Sequence, residues 1–320
     1  GERRKEERDR GPSPPEGQTP VCVCRREEKQ ADMPITYSDL YLDIRRQLKA
    51  SGIEAATLEA RELVCFGSGK TREELFRDGG LYLSTEVEQN VRALVRRHLD
   101  GEPVAYIIGE WEFYGLPLDI SEAVLIPRVD TEVLAGAAIE ALRTMPSCRV
   151  LDLCAGSGCI GLAIAANVPK ARVLLGELSE SAVRICRQNI RRNQLSGRVS
   201  VMPLNALEDP PAAVGEFDCI VSNPPYIPTG DLEALDHSVK DFEPHMALDG
   251  GADGYTFYGA IIRRWRRALK SGGRLYFEVG IGQADTVLRM MRAEGFGDLE
   301  VLPDDQNIPR VVFGRRLEEI

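Results

Sequence analysis

From Arg149 onward the sequence alternates short apolar runs of strand length with segments of helical length, and this alternation leaves few folds open. Val150-Leu151-Asp152-Leu153 reads as a buried strand, and an Ile-, Leu- and Ala-rich helix follows it to Asn167. Strands are then expected over residues 172–178, 199–202, 217–222, 274–279, 299–302 and 310–313, with helices over 181–194, 255–269 and 285–294. Strands separated by helices pair in parallel through right-handed crossovers. The expected fold class is therefore α/β with a seven-stranded, mostly parallel sheet. A ligand of such a sheet sits beyond the carboxyl ends of its strands.

The chain before Arg149 has a different texture. Residues 1–32 carry eight basic and eight acidic residues with almost no apolar periodicity, so they are expected to form a disordered extension. The patterned sequence opens at Met33, which predicts that the natural start lies there. A small helical domain is expected over residues 33–102. Leu40, Ile44 and Leu48 share a helical face, a second helix covers 54–66, Thr71 with Glu74 forms a capping box, and Ser84 or Thr85 caps a fourth helix. His98, close to the apolar stripe of that fourth helix, reads as a partly buried structural residue. Residues 103–127 read as a β-hairpin linker built from Tyr106-Ile107-Ile108, 111–114, a turn at Gly115 and 116–120. Thr131 or Asp130 then caps a helix to about Met145, within a last domain assigned to 128–320.

Composition narrows the chemistry. No run of about 18 apolar residues occurs, which argues against a membrane span, and the first residues are too charged for a secretory signal, so a cytoplasmic protein is expected. Eight cysteines are scattered without a C-x-x-C pair, which predicts reduced thiols. Three histidines without ligand spacing predict no metal. The net charge of −10 and pI near 5.1 disfavour stable nucleic-acid binding, whose affinity comes from Lys and Arg on phosphates, and leave only a local basic patch as a route to it.

Three short stretches carry chemistry. Asp152-Leu153-Cys154-Ala155-Gly156-Ser157-Gly158 closes the first strand and opens the next helix, where small residues let backbone N–H groups approach a ligand; the plain alternative is a tight strand-to-helix turn. Glu177, at the end of the second strand, can accept hydrogen bonds from both hydroxyls of a ribose; it could equally be a solvated loop carboxylate. Asn223-Pro224-Pro225-Tyr226 follows the fourth strand, and two prolines there stop strand pairing and leave a rigid lip bearing an amide, carbonyls and a ring. Such a lip suits a planar NH2 group. The alternative is a proline-stopped turn with a buried tyrosine.

Taken together with Pro103-Val-Ala-Tyr106-Ile-Ile-Gly109, Phe113-Tyr-Gly115, Leu125-Ile-Pro-Arg-Val-Asp-Thr-Glu132, Glu243-Pro244 and Ala247-Leu-Asp-Gly-Gly251, these motifs resemble the HemK/PrmC-type protein-glutamine methyltransferases from about residue 36 to the C-terminus. The glycine-rich stretch resembles the cofactor loop of class I (Rossmann-like) methyltransferases, with Cys154 where the first glycine usually stands. That change is expected to be harmless if the position does not need a positive φ. Two other departures are Val129, where a second proline is more usual, and Asn205-Ala206, where an acidic residue commonly lies near the adenine.

The resemblance implies S-adenosylmethionine as cofactor, held by Cys154, Ala155, Gly156, Ser157, Gly158, Glu177, Leu178, Asn205, Ala206 and Asn223. It implies class-1 peptide chain release factors as partners, methylated on the glutamine of their GGQ motif. Asn223, Pro224, Pro225 and Tyr226 are then the catalytic and substrate-binding residues. Asn223 Oδ1 and the Pro224 carbonyl would accept the two amide N–H bonds, and Tyr226 would pack on the amide plane. Arg128, Asp130 and Thr131 would close the cofactor pocket or hold the hairpin; Glu243 would shape the acceptor channel. A monomer is expected. The alternatives are a nucleic-acid adenine or cytosine amino-methyltransferase, which needs a flipped base and a basic, aromatic surface, a ribosomal-protein glutamine methyltransferase, and a non-enzymatic cofactor-sensing module.

Overall fold

The computed structural model describes residues 34–318; the expected extension over 1–32 and the start at Met33 lie outside them. Helices α1 (Tyr37–Ala50), α2 (Ala56–Ser68), α3 (Arg72–Arg77) and α4 (Thr85–Leu99) pack around Leu40, Ile44, Leu48, Leu63, Val64, Val91 and Val95. Leu40, Ile44 and Leu48 on α1 and Val91 and Val95 on α4 stand four residues apart, and Leu63 and Val64 stand three and four residues after buried Ala60 on α2, which is what places them on inward stripes. The Thr71/Glu74 capping box is present in both directions, and Ser84 Oγ accepts from Val87 N at 3.3 Å. His98 is wedged between α2 and the chain after α4, its Nε2 2.9 Å from Glu59 and its Nδ1 2.8 Å from the Glu102 carbonyl.

Tyr106-Ile107-Ile108 is not a strand. It belongs to a one-turn helix α5 (Val104–Ile108), started by Pro103, whose φ of −61° suits a helix entry, and ended by Gly109 in the left-handed region at φ 75°. The β-branched composition reflects burial of Val104, Ala105 and Ile107 rather than an extended backbone. The hairpin follows immediately as β1 (Glu110–Phe113) and β2 (Leu116–Asp119), paired antiparallel about Tyr114-Gly115. Helix α6 (Thr131–Leu142) ends before Met145, and no side chain caps it. Asp130 pairs instead with Arg310, 3.2 Å away, and the Thr131 hydroxyl donates to Glu278 at 2.5 Å.

The remaining elements are β3 (Cys148–Leu153), α7 (Cys159–Asn167), β4 (Ala171–Glu177), α8 (Glu180–Arg192), β5 (Val199–Pro203), β6 (Phe217–Ser222), α9 (His237–Lys240), α10 (Thr256–Arg264), β7 (Leu269–Glu278), α11 (Ala284–Ala293), β8 (Phe296–Pro303) and β9 (Pro309–Arg316). The sheet order is β5-β4-β3-β6-β7-β9-β8, parallel except that β9 runs against both its neighbours. Apolar side chains cover both faces, with Val150, Leu162, Ile164 and Val173 on one side and Leu151, Phe217, Ile261 and Phe277 on the other. Helix α10 stops short of Leu269, and β7 begins there. Its Lys270–Gly273 segment bulges, so pairing jumps from Phe217↔Leu269 to Cys219↔Arg274. Two glycines at 272 and 273 make the bulge affordable and hid the start of the strand. Among the described residues no helix is long and apolar enough to cross a membrane.

Candidate active site

Strands β3, β4 and β6 end side by side, and their ends build the site. Ser222 locks two of them together, its Oγ donating to the Leu153 carbonyl at 2.6 Å. Asn223 comes next and is half-exposed, while Pro224 and Pro225 are buried. The lip that follows is anchored on three sides. Gln283 Nε2 donates to the Tyr226 carbonyl at 2.9 Å, Ile227 N donates to the Leu248 carbonyl at 3.1 Å, and Gly250 N donates to the Ile227 carbonyl at 2.8 Å. The Asn223 side chain makes no hydrogen bond to any described residue, so its amide is available to a ligand. Tyr226 leans on the core beneath the lip, and burial pushes its phenol up to about 12.

The β3–α7 loop folds under Glu177. One carboxylate oxygen accepts from Gly156 N at 2.8 Å and the other from Ser179 N at 2.9 Å. Each oxygen keeps a lone pair for a further donor. A Cβ on Gly156 would meet nothing within 4 Å, so its backbone faces open space; a Cβ on Gly158, at φ 82°, would lie 2.8 Å from Leu175, so Gly158 supports the loop from below. Cys154 has φ 65°, so the position does take the left-handed conformation and the condition for a harmless replacement of glycine is not met. A non-glycine residue there costs on the order of 1 kcal/mol. The loop accepts that strain because Cys154 packs its side chain against the Leu151/Leu153 face of the sheet.

A cleft of about 930 Å³, counted with the space open to solvent, joins these parts. Of the residues singled out from the sequence, Cys154, Ala155, Gly156, Ser157, Glu177, Leu178, Asn205, Ala206, Asn223 and Pro225 line it. Gly158, Pro224 and Tyr226 do not; they hold its floor and lip. Asn205 spends its amide on its own turn, accepting from Leu207 N and donating to Glu208, both at 3.0 Å. Leu178, Leu204 and Ala206 give the same end of the cleft apolar walls suited to a planar base. The donor set fits a nucleoside cofactor: a two-oxygen acceptor for a diol, apolar walls for a base, and a glycine loop without side chains in the way.

Glu243, expected to shape the acceptor channel, and Gln283, which the sequence did not mark out, complete the enclosure. Glu243 is buried and its carboxylate receives both the Ile126 N–H, at 3.1 Å, and the Arg128 guanidinium. It thereby ties the 123–128 segment to the 228–251 segment across the cleft mouth. Gln283, also buried, accepts from Gly280 N at 2.9 Å while donating to the lip. Glu243 and Gly250 fell within stretches that had family resemblance; Gln283 and Glu278 had no signal, because their partners lie far away in sequence. Among the described residues no group of three His, Cys, Asp or Glu could hold a metal.

Glu278 sits at the end of β7, beside the start of the lip, and burial raises its carboxyl to about 7, with the Thr131 hydrogen bond and Arg310 opposing. Burial likewise raises Asp152 to about 7. A carboxyl raised in the native state holds a proton that the unfolded chain has already released, so it lowers stability as pH climbs from the ordinary range near 4.5 to about 7 and levels off above. Glu278→Gln keeps an oxygen for Thr131 and removes that loss. The variant is expected to be more stable than the parent at pH 8 by about 1–3 kcal/mol and nearly equal at pH 5, measured by urea unfolding; an equal difference at both pH values would show that titration is not the cause.

The chain matches the family model described as "Methyltransferase small domain" over residues 130–240 and that described as "PrmC N-terminal domain" over 39–109. A release factor glutamine methyltransferase from Geobacter sulfurreducens is 43% identical over 272 residues, covering 85% of this chain and 93% of its own length. One from Thermodesulfovibrio yellowstonii is 35% identical, covering 80% and 91%. A solved structure, the hMettl16 catalytic domain in complex with a MAT2A 3′UTR hairpin, shares 16% identity at a TM-score of 0.50 over 65% of this chain and 78% of that one, a likeness of fold alone.

Proposed function

Because the chain belongs to the release factor glutamine methyltransferase family, we propose that it methylates the side-chain amide nitrogen of the GGQ glutamine in class-1 peptide chain release factors, using S-adenosylmethionine. The observation that carries this reading is the unpartnered Asn223 amide, set on a proline-stiffened lip in the same cleft as Gly156 and Glu177. We further place the enzyme in the cytoplasm, acting as a monomer on a protein rather than a nucleic-acid substrate.

An amide nitrogen is a poor nucleophile because its lone pair is delocalised into the carbonyl. Asn223 Oδ1 and the Pro224 carbonyl accept its two N–H bonds, which turns the nitrogen towards the cofactor end of the cleft and stabilises positive charge as it develops. When bound, S-adenosylmethionine would supply an electrophilic methyl group on its sulfonium, with S-adenosylhomocysteine as the leaving group. One N–H proton then leaves to solvent, the nitrogen having become acidic. Glu177 would take the ribose hydroxyls, Leu178, Leu204 and Ala206 would hold the base, and the Arg128–Glu243 pair keeps the mouth narrow. A ribosomal-protein target shares this chemistry at the lip, so the test must locate the label. Incubation with methyl-labelled S-adenosylmethionine and purified release factor, ribosomal protein or DNA, followed by peptide mapping, is expected to mark the GGQ glutamine alone; label on DNA alone would overturn the proposal.

A further inference from the structure

In the sheet-bearing part of the chain, exposed apolar side chains gather around the candidate cleft. Among the described residues after Gly109, the large hydrophobic side chains that stand exposed are Val129, Leu178, Met246, Ile281 and Leu317. Leu178 and Met246 line the cleft itself. Val129 follows Arg128, which also lines it, and Ile281 follows Gly280, where an added Cβ would lie 3.0 Å from Tyr226 Cδ2, so the Tyr226 ring rests on that turn. Val129 is 76% exposed and Ile281 73%, the two highest values in the set.

Both of these side chains stand on pinned turns. Thr131 N donates to the Arg128 carbonyl at 3.1 Å and Glu132 N to the Val129 carbonyl at 2.9 Å, while the side chains on either side of Val129 are committed, Arg128 to Glu243 and Asp130 to Arg310 at 3.2 Å. Around Ile281, Gln283 N donates to the Gly280 carbonyl at 3.1 Å, Gly280 N donates to Gln283 Oε1 at 2.9 Å, and Gln283 Nε2 holds the Tyr226 carbonyl at 2.9 Å. Arg310 joins the two turns: its guanidinium takes Asp130, and its carbonyl accepts from Val279 N at 2.8 Å. The charged neighbours of the Tyr226 phenol are Glu278, Arg310, Arg128 and Asp130, which places the phenol between the turns. Val129 and Ile281 therefore flank the Tyr226 end of the lip, on backbone that a partner does not have to order.

We infer that Val129, Met246 and Ile281 form an apolar rim against which the glutamine-bearing loop of a release factor packs as its side chain enters the lip, an inference that rests on the function proposed above. Charge around the rim is already neutralised. Arg128 is the one Lys or Arg among the described residues that line the cleft and is paired with Glu243, and Arg310 pairs with Asp130 and, at 2.9 Å, with Asp304. A nucleic acid draws its affinity from Lys and Arg on phosphates, and these cations are spent on carboxylates. An apolar centre edged by paired charge is instead the make-up of a protein–protein contact. Continuity with the lip selects the occupant. Val129 and Ile281 border its Tyr226 side, and Met246 stands two residues before Leu248, whose carbonyl holds Ile227 N at 3.1 Å. The backbone that carries an amide to Asn223 lies against all three.

The test compares the full-length parent with V129D/I281D and V129I/I281L, using steady-state methyl transfer to a full-length release factor and calorimetry for cofactor affinity. A carboxylate forced into a dry contact carries a desolvation cost, so V129D/I281D is expected to raise KM for the release factor by about tenfold or more, with kcat within about threefold and cofactor affinity within about twofold of the parent. V129I/I281L keeps an apolar surface and is expected to hold KM within about threefold. The inference is overturned if KM in V129D/I281D rises by less than about threefold, too little for the loss of interface anchors. It is also overturned if cofactor affinity falls in step with KM, which marks a collapsed cleft, or if the parent sediments as a dimer that V129D/I281D dissociates, which gives the rim to a second copy of this chain. A parent that leaves the GGQ glutamine unlabelled sinks the proposed function itself, whereas a labelling parent with an unimpaired V129D/I281D variant sinks the rim alone.

Discussion

Asn223→Ala is expected to lower methyl transfer to a release factor by at least about 10²–10³-fold while cofactor affinity changes only a few-fold. The magnitude follows from the loss of an oriented acceptor in a water-poor cleft, where a single such hydrogen-bonding group is worth about 2.7–4 kcal/mol in the transition state. The truncated side chain leaves no orphan behind, because the Asn223 amide has no partner among the described residues to lose. Folding should therefore be close to normal. The Glu177 end of the cleft is held by Gly156 N and Ser179 N, neither of which touches Asn223, so cofactor binding measured by calorimetry should survive. Asn223→Asp is the sharper control, since it retains an acceptor but puts a charge in the cleft at a desolvation cost; it should fall between the parent and Asn223→Ala. Near-normal turnover in Asn223→Ala would remove the lip from the mechanism.

Much of this arrangement is legible in the sequence because it is local. The strand and helix periods, the Thr71/Glu74 capping box, the Tyr114-Gly115 turn and the two prolines after β6 all act through neighbours a few residues apart, and each element stands within a few residues of its expected place. The misreadings have local causes too. Val104–Ile108 has strand-like composition because it is buried, and only Pro103 and Gly109 betray the single helical turn. Asp130 and Thr131 look like caps, but Arg310 and Glu278, more than 140 residues away, outcompete the helix end for their side chains. Separation in sequence also hid Glu278, 147 residues from Thr131, and the lip contact of Gln283. A buried carboxamide that holds a carbonyl 57 residues upstream leaves no periodic trace. Cys154 could be singled out as an oddity, yet its left-handed backbone is a property of the loop's path over α7 and not of the residue.

Gly250→Ala should be the second most damaging single change, and it tests the lip from outside its own four residues. A Cβ at position 250 would sit 2.7 Å from Tyr226 Cα, 2.8 Å from Tyr226 C and 2.9 Å from the Pro225 carbonyl oxygen. All three contacts are with backbone, which no rotamer change can move aside. The Gly250 N–H also donates to the Ile227 carbonyl at 2.8 Å, so the two segments cannot separate without losing that bond. The methyl group must therefore push the Pro225–Tyr226 backbone away, against the Gln283 hydrogen bond on its other side. A displacement of about 1 Å at reacting atoms costs on the order of 10²-fold in rate, and kcat should fall by about that much. The cofactor loop makes no contact with position 250 in that set, so its affinity should be close to that of the parent. A fall in both cofactor affinity and kcat with loss of the unfolding transition would point instead to global destabilisation; unaltered kcat would mean that the lip yields more easily than its two prolines and three anchors imply.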